Sequence, residues 1–191
     1  MIQMFNKSVL LIALSLFGTT MVVADSENEN IELAKKSAYY FAELYAKTCM
    51  AYADDFSVLQ DRFGEGKVPS LSKKKAKKFL DNKPGKVWVI PNVYGDFLVS
   101  INKQQQCVVY SRFLNINQVE RAFIAQLEKT VSPLIFQKVQ DETLPMKEGP
   151  AHFIRYVITN TDDDTKKNYV LTTSKADGVD IQIKASVSTI L

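Results

Sequence analysis

The sequence predicts an α+β fold: N-terminal helices, an antiparallel three-strand meander, one helix, then an antiparallel four-strand meander. Three observations predict it. Between Ile31 and Phe56 the apolar residues recur at spacings of three and four, the period of a helix face. After Pro84-Gly85 the period becomes two, in short runs rich in Val, Ile, Phe, Trp and Tyr. A second helical pattern begins near Asn117 and separates those runs from four later ones.

The chain opens with Lys7, an uncharged run of 16 residues from Ser8 to Val23, and Val22-Val23-Ala24 ahead of Asp25. A basic start, an apolar middle and small residues before the cut are what a signal peptidase reads. The run is short of the roughly 20 apolar residues that a spanning helix needs. Residues 1–24 are therefore expected to be a signal peptide cleaved near Ala24, leaving a single α+β domain, residues 25–191, in the periplasm. The charged stretch Asp25 to Asn30 is expected to break any helix. Beyond it, Ala34, Ala38, Phe41, Tyr45, Cys49, Tyr52 and Phe56 form the buried stripe of one amphipathic helix or of two in succession, which Gly64-Glu65-Gly66 ends.

Ser72 is placed to cap a short helix whose inward side is Ala76, Phe79 and Leu80, stopped by Pro84-Gly85. Strands are expected over 86–90, 96–102 and 106–113. Asn117-Gln118-Val119-Glu120 has the spacing of a capping box, opening a helix that runs to Val131 and stops at Ser132-Pro133. Strands are expected again over 134–140, 151–159, 168–173 and 179–189. In the last, Val179, Ile181, Ile183, Ala185 and Val187 alternate with Asp180, Gln182, Lys184, Ser186 and Ser188, which assigns one face to a core and the other to water.

A hydrophobic content of 46% over 191 residues is enough for one sizeable core. The formal charge is +3, one unit of which is Lys7, too weak a bias for a nucleic-acid partner. Cys49 and Cys107 are the two cysteines. In an oxidising compartment an even pair is bridged more often than free, so a disulfide is expected to tie the N-terminal helical part to the first strands.

His152 is the one histidine, which excludes a zinc site built on several imidazoles. A Ser-His-Asp hydrolase would need that same ring as base, and no Gly-x-Ser-x-Gly elbow is present. Gly64-Glu65-Gly66-Lys67 follows a helix and runs into Val68-Pro69, the wrong context for a phosphate loop. Asp162-Asp163-Asp164 lacks the alternating spacing of a calcium loop and reads as a charged hairpin turn. No cofactor or metal is expected.

Lys73, Lys74, Lys75, Lys77 and Lys78 place five ammonium groups in six positions. A solvated helix face is the ordinary reading; the functional one is contact with anionic lipid head groups, an acidic protein or a polyanion. Trp88, Tyr94, Phe97, Tyr110 and Phe113 fall in the first meander and its turns. They read mostly as core, with Trp88, Tyr94 and Tyr110 as candidate recognition aromatics if any face outward.

Cys49, Ala76-x-x-Phe79-Leu80, Pro84-Gly85-x-Val87-Trp88, Gly95-x-Phe97, Cys107 and Gly149-Pro150-x-His152 with Tyr156, spread over most of the mature chain, resemble a family of small exported proteobacterial proteins with no assigned activity. Some members of that family are lipoproteins, whose acylated cysteine this chain lacks. The resemblance implies a Gram-negative periplasm and carries over no catalytic residue.

The scarcity of catalytic groups points to a non-catalytic periplasmic interaction protein: an inhibitor, an immunity-type protein against a delivered toxin, or an envelope accessory factor. Its partner would be another protein of the envelope or a delivered one. The alternatives are a small envelope-polymer hydrolase using His152 and a small-ligand or lipid carrier with the sheet's apolar face as cradle.

Overall fold

In a computed structural model of the chain, the described residues are 21–64, 66–129, 132–176 and 178–190, with side chains described from Asn28 onward. Contacts divide the chain into residues 1–32 and 33–191. The signal-peptide expectation rests mainly on residues 1–20, which lie outside the described residues. Among the described residues no helix is long and apolar enough to cross a membrane.

Helix α1 spans Met21–Tyr45. The stretch from Asp25 to Asn30, expected to break a helix, is helical instead. Asp, Ser and Asn each lower helix propensity by only tenths of a kcal/mol, and no Gly or Pro interrupts the run. A π-helical turn, Ala46–Met50, continues α1, and α2 follows at Phe56–Phe63. Asp55 caps α2, its carboxylate accepting from the Ser57 N–H at 2.8 Å. The expected stripe is buried at Ala38, Phe41, Tyr45, Cys49 and Phe56.

Helix α3, Lys73–Ala76, runs into a 3₁₀ turn at Lys77–Phe79. The Ser72 side chain makes no capping bond there, contrary to the sequence expectation. Seven strands follow: β1 Gly85–Ile90, β2 Phe97–Asn102, β3 Gln106–Ser111, β4 Leu134–Leu144, β5 Ala151–Asn160, β6 Lys166–Ser174 and β7 Ile183–Thr189. Helix α4, Ile116–Leu127, lies between β3 and β4. Its cap is Asn115, not Asn117: the Asn115 side chain accepts from the Gln118 N–H at 3.1 Å. Glu120 is thereby released from the expected capping box.

The two meanders are one sheet. Its order is β1-β2-β3-β7-β6-β5-β4, antiparallel at every joint, because the last strand inserts beside β3. Strand β7 begins at Ile183 rather than Val179 because β3 stops opposite it and β6 ends one residue later: Ile183 pairs with Ser111, the last residue of β3, and with Thr173 of β6. Residues 179–182 are left as a loop. A central position also buries Ser186, on the side expected to face water.

One face of the sheet carries Trp88, Phe97, Val99, Cys107, Val109, Leu171, Ile183, Ala185 and Val187, and the apolar sides of α1, α2 and α4 pack there in one core. Each valine, leucine, isoleucine or phenylalanine among them contributes about 1.5–3 kcal/mol on burial. The buried Tyr45 hydroxyl donates to the Ser186 carbonyl at 2.8 Å, pinning α1 to β7, and burial holds its pKa well above the usual value. On the outer face a smaller cluster, Ala76, Leu80 and Val87, seats α3 on β1. Gly85 leaves room for that seat, since a Cβ there would stand 2.8 Å from the Leu80 side chain and 2.4 Å from the Ile101 carbonyl oxygen of β2.

The edges are treated differently. Residues 69–71 cover β1: the Leu71 N–H donates to Val87 and the Val89 N–H to Pro69. Strand β4 is the open edge and runs four residues beyond the expected end, with a bulge between Lys138 and Gln140. An edge strand tolerates Asp141 and Glu142 because its side chains stay wet, and a bulge with charges discourages pairing with other chains.

Candidate binding surface

Cys49 and Cys107 form the expected disulfide, tying the π-helical turn after α1 to β3, with Cα atoms 5.3 Å apart.

His152 is held between two carboxylates. Its Nδ1 lies 2.9 Å from Glu120 Oε1 on α4, and its Nε2 lies 3.0 Å from Asp141 Oδ1 on β4. The Thr173 hydroxyl donates to the same Glu120 oxygen at 2.6 Å, and Lys138 pairs with Asp141 at 2.7 Å. The bulge at Val139 matters: it puts Lys138 and Asp141, three apart, on one face of β4. Glu120 is present because the cap moved to Asn115. Neither event is visible in residue spacing, so the sequence showed the imidazole and not its partners.

Both ring nitrogens donate at once only in the imidazolium, and the Glu120 hydrogen bond, ahead of the other contributions, raises the His152 pKa above its usual 6.5. Asp141 is lowered from 3.8, first by Lys138 and then by His152. A raised histidine contributes stability that is fully present below 6.5 and is lost as pH rises through the folded-state value. Unfolding free energy should therefore fall as pH climbs above 6.5 through the folded-state value, and a His152→Ala chain should lack that fall. NMR titration of the single imidazole checks it; a midpoint at or below 6.5 would contradict the clamp.

The ring has no free nitrogen to serve a nucleophile, and Thr173 gives its hydroxyl proton to Glu120. The two carboxylates lie at opposite nitrogens and share no metal focus; among the described residues no cluster of His, Cys, Asp or Glu is arranged to hold a metal ion. Asp163 accepts from the Thr165 N–H and hydroxyl within its own turn, a hairpin turn as expected.

The aromatic residues separate sharply. Trp88 is 2% exposed, packed edge-on against Phe63 in the main core, and so is no recognition residue. Tyr110 is also buried; its hydroxyl donates to the Phe79 carbonyl and accepts from Ser100, and burial pushes its pKa up to about 12. Tyr94 is half-buried against Tyr40. Of the five aromatics of the first meander and its turns the exposed one is Phe113, which sequence alternation assigns to a strand. Strand β3 stops at Ser111, and Phe113 at φ +60° swings outward at 76% exposure, its N–H held by the Gln182 side chain. A left-handed conformation in a bulky residue costs about 1–3 kcal/mol and marks the position.

Three hollows lie around Phe79, Tyr110 and Lys78. The first, about 460 Å³, sits at the end of the sheet between Val89, Ile90, Phe97, Leu98 and Ile181, with Asp96 and Arg112 at its border. Val93, 89% exposed, and Phe113 each adjoin a lining residue, and the Arg112 guanidinium lies 4.9 Å over the Phe113 ring. The second, about 180 Å³, shares Tyr110 and Ile181 with the first. The third, about 610 Å³, is an open groove between α3 and β2. The sheet face expected as a carrier's cradle is instead filled by the helices. The five lysines are exposed; Lys78 pairs with Asp180, while Lys73, Lys74, Lys75 and Lys77 have no acidic partner among the described residues.

No family model, no curated protein and no solved structure matches the chain.

Proposed function

We propose that this chain is an exported, non-catalytic interaction protein of the periplasm. On this reading it binds a protein of the envelope or a delivered protein, as an inhibitor, immunity-type protein or accessory factor. One observation carries it: the hollow at the sheet end, lined by both apolar and polar side chains, with exposed Val93 and Phe113 beside it and Arg112 over the phenyl ring. An exposed aromatic beside a cavity, with an arginine at hand, matches the composition of a protein interface, and Val93 adds exposed apolar area next to them. The engagement of both His152 nitrogens supports the non-catalytic half of the reading.

Affinity capture from periplasmic and secreted extracts tests it. A single stoichiometric protein should be retained by the wild type, and Val93→Ala/Phe113→Ala should weaken that retention by roughly thirtyfold or more. Equal retention by the double variant would sink the assignment of this surface.

A further inference from the structure

The groove beside α3 goes beyond that reading. Its floor is Leu71, Phe79 and Leu98, and its border is Lys74, Lys75 and Lys78. Lys74 and Lys78 stand one turn apart with Lys75 beside them. Lys73 and Lys77 fall on the adjoining face, since successive helical residues are about 100° apart. Such a fan does not converge on one small anion. An extended layer of anions meets several of its members together.

The floor decides what kind of layer. No side chain lining the groove other than the lysines carries a hydrogen-bonding group. The backbone of β2 beneath it is already paired on both sides, to β1 and to β3. A peptide laid there would bury its own N–H and C=O groups without partners, which costs several kcal/mol. Hydrocarbon needs no such partner. Lysine ammoniums on flexible stems suit phosphate oxygens as point charges, without the fixed fork that arginine brings to a defined site.

We propose that α3 and this groove dock the protein on an anionic phospholipid bilayer, with head-group phosphates meeting the lysines and an acyl segment resting on Leu71, Phe79 and Leu98. Each lysine near such a surface strengthens attachment about fivefold.

Co-sedimentation tests it with vesicles of phosphatidylcholine alone and of phosphatidylcholine mixed with phosphatidylglycerol. The protein should pellet with the mixed vesicles only, and less as salt rises. Lys74→Gln/Lys75→Gln, a surface change that spares the fold, should weaken attachment about thirtyfold. Val93→Ala/Phe113→Ala should attach like the wild type, which keeps this test separate from the protein-binding one. Equal attachment to neutral vesicles, attachment to neither, or full attachment of the lysine variant would each overturn the proposal.

Discussion

Opening the Cys49–Cys107 bridge, by reduction or in a Cys49→Ser/Cys107→Ser chain, should lower the free energy of unfolding by about 4 kcal/mol. The bridge closes a loop across a separation of 58 residues, and the unfolded chain regains that loop's freedom when it is cut. Both cysteines are fully buried, so nothing in the wet surface replaces the lost link between the turn after α1 and β3. Neighbouring anchors remain, including the Tyr45 bond to Ser186, so the expected result is a weakened native state rather than an unfolded one. For a chain of this size the melting temperature should drop by roughly 8–16 °C. Denaturant unfolding with and without reductant checks it, and a change under about 1 kcal/mol would mean the bridge constrains little that packing does not already hold.

How much of this was legible in the sequence follows from what periodicity encodes. The stripe through Ala38, Phe41, Tyr45 and Cys49 was readable because its register is local, and so were the alternating strands. The bridge was readable because two cysteines, in a chain whose sequence reads as exported, allow one pairing. The insertion of β7 beside β3 was not, since it is set by which edges are free after both meanders form. The surface was the least legible part. Phe113 reads as one more strand residue until β3 is seen to end at Ser111, and the loop 179–182 reads as strand until β3 is seen to stop opposite Ile183 and β6 one residue beyond it. The lysine run was visible, but its meaning depends on Leu98, twenty residues away and brought beneath it by the sheet.

Trp88→Ala should cost about 3–5 kcal/mol of stability. In the sequence Trp88 stood among possible recognition aromatics; in the fold it is 2% exposed, on the helix-covered face of β1, opposite Val99 and edge-on to Phe63 at 5.3 Å between ring centres. Losing the indole leaves a cavity, and the site is poorly able to collapse. Strand β1 is fixed by its ladder to β2 on one side and by residues 69–71 on the other, so the backbone cannot sink inward without breaking hydrogen bonds. Poor collapse is what pushes such substitutions toward the upper end of their range. Circular dichroism is the probe to use, because the variant lacks the chain's one tryptophan. A recognition residue behaves in the opposite way, with stability kept and partner retention lost. If Trp88→Ala unfolds at the wild-type denaturant concentration, the core around Phe63 is not packed as the structure has it. If it unfolds early yet still retains the captured partner when folded, the indole serves the core and not the binding.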